Sequence, residues 1–235
     1  MAVAGEFAAT LLESREIAPE VRHLVLETQG EARLSFAPGQ FLMLFAPLGG
    51  VIVKRPYSIA SPPDGNRFAL CLNRVREGVF SPYLFDLRPG DTVRLKGPYG
   101  AFRWREPPSD SVLVATGTGI APFRSMLHAR VPEDPDRCYT LVFGVRHEYG
   151  ILYREEFEEM AARFSNFRFL PTLTRPEPGW TGRTGRVQRH VLECVGDRRD
   201  LDVYICGLWE MVRDVRDKLV GVGVERSRIH YERYD

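Results

Sequence analysis

The chain as far as Lys96 breaks into short runs of β-forming residues with turn signals between them. Pro38-Gly39, Asp64-Gly65 and Pro89-Gly90 mark turns, because glycine and proline interrupt regular structure. Short strands at this spacing are typical of a β-sandwich or barrel. The predicted strands are Phe7–Ile17, Val21–Thr28, Gln40–Phe45, Ser58–Ala60, Arg67–Val75 and Thr92–Lys96.

The pattern changes at Trp104–Asp110, a stretch with two prolines that we interpret as a linker. Beyond it, apolar runs alternate with helical stretches, which favours a parallel sheet covered by helices on both faces. The predicted strands are Val112–Ala115, Cys138–Val145, Phe167–Leu173, Val203–Cys206 and Ile229–Tyr231, and the predicted helices end near Ala129 or lie near Tyr153–Phe164, Val187–Cys194 and Met211–Val220. We therefore predict two domains, residues 1–105 and 106–235, the second doubly wound with its ligand at the carboxyl ends of the strands.

The overall composition narrows the class of protein. Hydrophobic residues make up 44% of the 235 residues and charged residues 27%, which fits a soluble globular protein. The formal net charge is +1, so charge gives no indication of nucleic acid or a membrane as a partner, and we expect neither. No apolar run reaches the ~18–20 residues of a membrane helix. The N-terminus has no basic segment ahead of an apolar core, so we expect no signal peptide.

The four cysteines lie far apart and form no CxxC pair. They are Cys71, Cys138, Cys194 and Cys206. Zinc, an iron–sulfur cluster and a disulfide framework therefore have no basis in the sequence, and we expect no metal site. A reduced, cytoplasmic setting fits this cysteine usage.

Val112–Met126 reads as strand, glycine turn and helix. The two glycines of Thr116–Gly119 let the backbone turn tightly and let a ligand come close, and Pro122 suits the first turn of a helix. Such a corner directs free N–H groups and the positive end of a helix at one point, which suits a pyrophosphate. The alternative is an ordinary strand–turn–helix corner, because the full GxGxxG pattern is absent.

Two further segments in the first half offer phosphate-binding groups. We predict that Arg55–Ser58 ends a turn and enters a strand, with an arginine fork for a phosphate, a tyrosine face for a ring and a serine hydroxyl. The alternative is an edge strand with an incidental charge. Gly78–Ser81 lies at a predicted helix start and would form a second phosphate cradle. The alternative there is an N-cap by Ser81 with Pro82 at the first helical position.

The order of motifs along the chain resembles the ferredoxin–NADP⁺ reductase family of flavoproteins. The motifs are RPYS at 55–58, GVFS at 78–81, GPYG at 97–100, ATGTGIAP at 115–122, FGVRHEYGILYREEF at 143–157, CG at 206–207 and a Glu-X-Tyr tail. The resemblance covers nearly the whole chain. It implies a six-stranded antiparallel barrel that binds FAD, followed by a parallel-sheet domain that binds NADPH or NADH.

The resemblance also implies roles for residues of the first domain. Arg55 would bind the phosphates of FAD, Tyr57 would pack against the flavin and ribityl chain, and Ser58 would lie beside the reactive nitrogen. Other groups near the cofactor would come from Pro56, from Leu72, Asn73 and Arg74, and from the pyrophosphate loop Gly78, Val79, Phe80 and Ser81.

In the second domain the resemblance assigns the dinucleotide and the reaction centre. Cys206 would lie near the nicotinamide and would act in catalysis together with Ser58 and Glu232. The family usually has proline where this chain has Leu208, which puts the local loop shape in question. The expected NAD(P) contacts are Thr116, Gly117, Thr118, Gly119, Arg146, Cys206, Gly207 and Met211.

The tail offers an aromatic cover for the flavin. Some family members end with such an aromatic residue, preceded two residues earlier by a glutamate, and Glu232 and Tyr234 match that spacing. Here Asp235 follows the tyrosine, so a plain final strand with a frayed end is the alternative.

The predicted end of the third parallel strand bears on the choice of nicotinamide cofactor. Thr174, Arg175 and Arg183 offer a hydroxyl and cations for a ribose 2′-phosphate. Glu177 and the general abundance of arginine weaken this interpretation, so NADPH is favoured and NADH stays open.

The sequence thus predicts an enzyme that takes a hydride from NAD(P)H onto FAD and passes electrons to a ferredoxin, a flavodoxin or the iron–sulfur component of an oxygenase. One alternative is a reductase of free flavin or ferric chelates without a protein partner. The other is an electron-transfer subunit of a larger redox complex.

Overall fold

The computed structural model describes residues 5–30 and 33–234. The chain divides into two compact units. The first runs to Arg103 and includes Ala121–Ala129, and the second comprises Trp104–Ile120 and the residues from Arg130 onward.

The first unit is a six-stranded antiparallel sheet closed into a barrel. Its strands are β1 (Glu6–Ala18), β2 (Val21–Thr28), β3 (Phe41–Leu48), β4 (Val51–Ser58), β5 (Arg67–Asn73) and β6 (Thr92–Tyr99), in the order β4-β3-β6-β1-β2-β5. A short helix, α1 (Phe80–Asp86), lies between β5 and β6 in sequence. A β-bridge between Ile59 and Leu70 joins the two edge strands, and the N–H of Ala60 donates to the carbonyl of Ala69 at 2.7 Å. The predicted antiparallel barrel is confirmed.

Alternation along the strands gives the barrel its core. Leu42, Leu44 and Ala46 of β3 are buried on one face, as strand geometry requires of every second residue. The aromatic and aliphatic side chains that fill the interior include Leu11, Leu24, Leu26, Phe68, Leu70, Phe80, Leu84, Val93 and Leu95.

Residues 121–129 of the next helix, α2 (Ile120–Arg130), belong to this unit. The Phe123 ring packs on Phe102 with centroids 5.7 Å apart. Arg124 Nη1 donates to the carbonyl of Ala60 at 2.7 Å, and Ser125 Oγ donates to the carbonyl of Ser61 at 2.6 Å. These bonds attach the helix to the segment that follows β4.

The second unit is a parallel sheet with helices. Its strands are β7 (Ser111–Thr116), β8 (Tyr139–Val145), β9 (Phe167–Leu173), β10 (Arg183–Thr184), β11 (Asp202–Leu208) and β12 (Ile229–Tyr234), in the order β10-β9-β8-β7-β11-β12. The further helices are α3 (Arg154–Arg163), α4 (Val187–Val195) and α5 (Trp209–Gly221). The predicted parallel-sheet fold is confirmed, and all six strands present their carboxyl ends to one edge.

The continuous apolar runs of the sequence form this core, because strands of a parallel sheet are buried on both faces. Val112 to Ala115 and Val203 to Cys206 are all buried, without the alternation seen in the barrel. Val187, Val191 and Val195 of α4 recur at helical spacing and pack on the sheet.

The first-half prediction fails at β4. Arg55–Ser58 was expected to enter a strand at Ser58–Ala60, but it ends a strand that begins at Val51. β4 begins with the β-branched run Val51–Val53, but most of the strand is exposed and shows no alternation of buried and exposed residues. Pro56 is compatible with the strand because β4 is an edge of the sheet, where a missing N–H costs no ladder bond.

Candidate cofactor sites

The two edge strands of the barrel part beyond their bridge. Continued from Ile59 and Leu70, the antiparallel register sets Tyr57 opposite Leu72 and Arg55 opposite Arg74. Among the described residues, however, β4 forms its ladder only with β3. The predicted FAD-contacting segments Arg55–Ser58 and Leu72–Arg74 therefore flank an opening between strand edges.

Tyr57 presents an aromatic face at this opening. Its half-buried ring stacks on Phe80, the first residue of α1, with centroids 6.2 Å apart and planes at 25°. Burial raises the pKa of the Tyr57 phenol to about 12, against a smaller lowering effect of Arg55. The phenol therefore stays neutral and available for hydrogen bonding. Ser58, the next residue, is buried.

The Arg55 guanidinium is exposed and lies beside the same strand. Its Nη1 donates to the carbonyl of Lys54 at 2.7 Å. This contact uses one of the five N–H donors of the guanidinium, and the others could bind a phosphate. Arg74, across the opening, places its guanidinium 5.7 Å from the centroid of the Phe85 ring.

The loop before α1 is shaped by Ser81, but not as the N-cap that the alternative interpretation expected. The helix begins at Phe80, and Val79 occupies the N-cap position without a side-chain cap. Ser81 Oγ instead accepts the N–H of Val75 at 2.8 Å, while the N–H of Gly78 donates to the carbonyl of Val75 at 2.9 Å. Ser81 therefore ties Val75, in the loop, to the first turn of the helix.

The start of α1 retains donors for an anion. The N–H groups of Val79, Phe80 and Ser81 precede the first intrahelical hydrogen bond. Together with the exposed Arg55 guanidinium and the Tyr57 ring, they form a donor set that fits a flavin dinucleotide.

In the second unit the glycine turn meets the end of β11. Gly117–Gly119 forms a 3₁₀ turn after β7, and α2 follows at Ile120. A Cβ on Gly119 would lie 2.4 Å from the carbonyl oxygen of Cys206, so only glycine fits there. Gly117 has a φ of +53° and faces open space, as a glycine beside a bound dinucleotide would.

Gly207 completes this corner. Its φ is +154°, and a Cβ would lie 2.5 Å from Thr116 Oγ1 and 2.7 Å from Met211 Cε. The predicted contacts Thr116, Gly119, Gly207 and Met211 are thus brought together at the carboxyl ends of β7 and β11. This close approach of backbones fits the donor-rich cradle that an NAD(P) dinucleotide requires.

Cys206 is fully buried near the carboxyl end of β11. Burial raises the pKa of its thiol well above the ordinary value, the charge of Glu232 adds to this, and a hydrogen bond with Tyr234 opposes it. In the parallel register Cys206 lies beside Glu232, and Leu208 beside Tyr234. The structure therefore joins the two tail residues to the predicted catalytic cysteine, which is a neutral thiol.

The candidate 2′-phosphate residues lie at the ends of β9 and β10. The N–H of Thr174 donates to the carbonyl of Val145 at 3.0 Å, and the N–H of Arg175 donates to the carbonyl of Arg146 at 2.8 Å. Arg183 begins β10, beside Thr172 of β9. All three arginines are exposed at one edge of the sheet, and Arg183 also donates to Glu193 at 3.4 Å.

Three residues of this edge have structural roles that the sequence did not suggest. Trp180 Nε1 donates to the carbonyl of Arg183 at 2.9 Å, and Glu177 Oε1 lies 2.8 Å from His147 Nδ1. The only feature of the sequence that could have indicated these contacts was the single tryptophan in a loop rich in glycine and proline.

Ser58 lies in the first unit, and Cys206 and Glu232 lie in the second. In the described part of the chain, no group of three or more His, Cys, Asp or Glu residues is placed to hold a metal ion. No helix over residues 5–30 and 33–234 combines the length and apolar character needed to cross a membrane.

Comparison with known proteins matches the two halves to two families. The family described as "Oxidoreductase FAD-binding domain" matches residues 8–104, and the family described as "Oxidoreductase NAD-binding domain" matches residues 113–217. Together these matches cover nearly the whole chain.

Individual relatives agree with this division. Ferredoxin–NADP reductase B of Sorangium cellulosum is 43% identical, with all of both chains covered. The electron transfer component of toluate 1,2-dioxygenase from Pseudomonas putida is 28% identical over 97% of this chain and 67% of that protein. The crystal structure of an Amycolatopsis cytochrome P450 reductase superposes with a TM-score of 0.89 at 30% identity, over 97% of this chain and 69% of that one.

Proposed function

Because the chain belongs to the ferredoxin–NADP⁺ reductase family of flavoproteins, we propose that it takes a hydride from NADPH onto FAD and delivers electrons to a small protein acceptor. The protein is an oxidoreductase with FAD- and NAD(P)-binding domains. The acceptor would be a ferredoxin, a flavodoxin or the iron–sulfur component of an oxygenase. The observation that carries this proposal is the full-length similarity to a ferredoxin–NADP reductase, with both chains covered from end to end.

FAD supplies the chemistry that this reaction needs, because its ring accepts a hydride and can release electrons one at a time. The protein's part is to bind, orient and shield the two cofactors. Residues 1–105 would form the FAD domain and residues 106–235 the NAD(P) domain.

In the FAD domain, structural features support several of the proposed contacts. Arg55 would bind phosphate through its exposed guanidinium, and the N–H groups of Val79, Phe80 and Ser81 would bind the pyrophosphate. Tyr57, fixed against Phe80, would pack along the flavin and ribityl chain. Further contacts are proposed from Pro56, Ser58, Leu72, Asn73, Arg74 and Gly78.

In the NAD(P) domain, Thr116–Gly119 would hold the pyrophosphate and Gly207 and Met211 would shape the nicotinamide end. Cys206, neutral and buried, would present its thiol to the nicotinamide without adding charge. Glu232 would act beside it, and Tyr234, which bonds to the cysteine, would add an aromatic face.

The preference for NADPH rests on charge. Thr174, Arg175 and Arg183 stand at the ends of adjacent strands, with Arg146 bonded through its carbonyl to Arg175. Arginine forks are suited to a phosphate dianion and have no partner in NADH. The relative that is 43% identical is named as a reductase of NADP, which supports the same preference.

We also propose that the enzyme works in the cytoplasm. The four cysteines, Cys71, Cys138, Cys194 and Cys206, are all free thiols, and a reducing compartment keeps them so.

The test is a stopped-flow screen of electron acceptors with the purified FAD-loaded enzyme and NADPH. We expect reoxidation of the flavin to be much faster with ferredoxin or flavodoxin than with free FMN, FAD or a ferric chelate. Fast turnover with free flavin and no gain from a protein acceptor would support a free-flavin or ferric-chelate reductase instead. Co-purification in a stable complex with other redox subunits would support the electron-transfer-subunit alternative.

A further inference from the structure

The loop that carries the candidate 2′-phosphate residues also carries an acid. This loop runs from Thr174 to Gly182, between β9 and β10, and Glu177 lies two residues after Arg175. A carboxylate at this place would repel a phosphate dianion and would compete with it for the arginines. The position of Glu177 therefore matters to any cofactor that carries a 2′-phosphate.

The carboxylate of Glu177 is held by His147. Glu177 Oε1 lies 2.8 Å from His147 Nδ1, a normal hydrogen-bond distance. The His147 ring is itself fixed from its other side, because it stacks on Tyr149 with centroids 5.2 Å apart and planes at 9°. The histidine is mostly buried, with 27% of its side chain exposed, whereas the glutamate is 55% exposed.

The rest of the loop is fixed by contacts that do not involve the Glu177 side chain. The N–H groups of Thr174 and Arg175 bond to β8 and the residue after it. At the far end, the Arg154 guanidinium lies 5.8 Å from the centroid of the Trp180 ring, and Trp180 bonds to the carbonyl of Arg183. Loss of the His147 contact would thus free the Glu177 side chain, while the backbone of Arg175 and Arg183 would stay in place.

A freed carboxylate would find a partner on its own loop. It would turn toward Arg175 on this loop or toward Arg183 directly after it, and Arg183 has only a long 3.4 Å contact with Glu193. A cofactor with a 2′-phosphate would then have to displace an ion pair, whereas a cofactor without it would bind as before. The effect is therefore confined to the cofactor that carries a 2′-phosphate.

We propose that His147 is a positioning residue for cofactor specificity: by holding the Glu177 carboxylate, it prevents that carboxylate from competing with the 2′-phosphate for Arg175 and Arg183. This inference rests on the proposed NADPH preference. It assigns a role to a histidine and a glutamate that are not among the proposed flavin and nicotinamide contacts.

The test measures binding of 2′,5′-ADP and 5′-AMP to the FAD-loaded enzyme by titration calorimetry, together with KM for NADPH and NADH. We expect His147→Ala to weaken binding of 2′,5′-ADP about fivefold to tenfold, which corresponds to a loss of about 1–1.4 kcal/mol of binding free energy. Binding of 5′-AMP should not change. Adding Glu177→Gln to His147→Ala should restore 2′,5′-ADP binding to within about twofold, because the competing charge is gone.

Two further variants separate positioning from folding. His147→Asn keeps a side-chain N–H donor close to the position of Nδ1 and should retain most of the affinity. Glu133→Gln removes an exposed acid in the turn between α2 and β8, at the amino ends of the strands, and should change neither ligand.

Each outcome has one meaning. If wild type binds 2′,5′-ADP no better than 5′-AMP, the proposed NADPH preference is wrong and the inference falls with it. If wild type discriminates but His147→Ala behaves like wild type, the inference alone is overturned. Equal losses for both ligands, or no recovery in the double variant, would overturn it as well, because His147 would then only support the fold.

Discussion

The α-carbon of Gly119 lies against the carbonyl of Cys206, so closely that a Cβ on Gly119 would come within 2.4 Å of that oxygen. The partner atom is backbone at the end of β11, which cannot move aside as a flexible side chain would. The glycine turn and the predicted catalytic cysteine are thus parts of one rigid corner.

The first prediction concerns this corner. Gly119→Ala should destabilise the protein by about 1–3 kcal/mol, the usual cost of forcing extra volume into a filled space. Urea unfolding of the purified variant measures this change. Gly221→Ala is the matched control, because a Cβ at Gly221 meets open space and should cost nothing. Equal stability of the two variants would show that the corner relaxes freely.

The second prediction concerns FAD. The protein should purify yellow with one FAD per chain, and Arg55→Ala should weaken FAD binding about tenfold or more, or ~1.5–3 kcal/mol, because a charge-assisted contact to phosphate is lost. Flavin content and the Kd from reconstitution of the apoprotein measure this effect. Arg213→Ala, an exposed arginine on α5, should bind FAD as wild type does. Bound FMN in place of FAD would contradict the second phosphate contact at Gly78–Ser81.

The cofactors and the type of reaction were easier to predict from the sequence than the local structure was. Thr116–Gly119 was placed correctly as a turn at a strand end, because glycines after a buried apolar run have few other uses. Arg55–Ser58 was placed at the start of a strand although it forms the end of one, since the exposed residues of β4 carry no periodic signal. Side-chain hydrogen bonding could not be predicted from the sequence: the alternative interpretation placed Ser81 at the N-cap, and the structure shows it accepting from Val75.

Non-local pairing explains the rest of what the sequence could not predict. The two-residue strand β10 exists only because Arg183 and Thr184 lie beside Thr172 and Leu173 of β9. The bond between His147 and Glu177 joins residues thirty positions apart, and no spacing rule predicts it. Such contacts depend on the finished sheet rather than on local propensity.

The third prediction concerns the choice of nicotinamide cofactor. Arg175→Ala should raise the KM for NADPH about tenfold or more and leave NADH nearly unchanged, since a phosphate-binding charge contributes about 1.5–3 kcal/mol. Arg183→Ala should act in the same direction but less strongly, because Glu193 already neutralises part of its charge. Steady-state kinetics with both cofactors measure this, and equal losses with both would make these arginines ordinary surface residues.

The fourth prediction concerns the hydride step. Ser58→Ala and Cys206→Ala should each slow single-turnover flavin reduction at least about tenfold, or ~1.4 kcal/mol on the barrier, because small displacements of the reacting atoms are costly. Flavin content should stay intact, since Arg55 and the Gly78–Ser81 loop still hold the phosphates. Unchanged rates in both variants would mean that the reaction centre lies elsewhere, and loss of FAD from Ser58→Ala would make Ser58 a binding residue.

The fifth prediction concerns pH. Burial raises the pKa of the Cys206 thiol, so the folded protein keeps a proton that the unfolded chain releases near pH ~8.5. The free energy of unfolding should therefore fall as pH rises above about 8.5, by up to about 1.4 kcal/mol per pH unit. Urea unfolding at a series of pH values should show a shallower fall for Cys206→Ala.

The exposed Cys138 provides the control for this measurement. Cys138→Ala should keep the wild-type slope. A Cys206→Ala variant with the wild-type slope would assign the alkaline loss of stability to other groups: to Cys194, whose thiol pKa burial also raises, or to Tyr57 and Tyr204, whose pKa values burial raises to about 12.

The bridge between Ile59 and Leu70 joins the edge strands of the barrel at one place and leaves β4 without a second neighbour between Val51 and Tyr57 among the described residues. Unpaired strand edges are templates for pairing with another chain. We propose that FAD covers this opening. If chains are synthesised faster than the cell supplies flavin, their unpaired strand edges would be exposed and could pair with one another. Overexpression without added riboflavin should therefore yield aggregates, and the supply of a vitamin would set how much soluble enzyme a cell can hold.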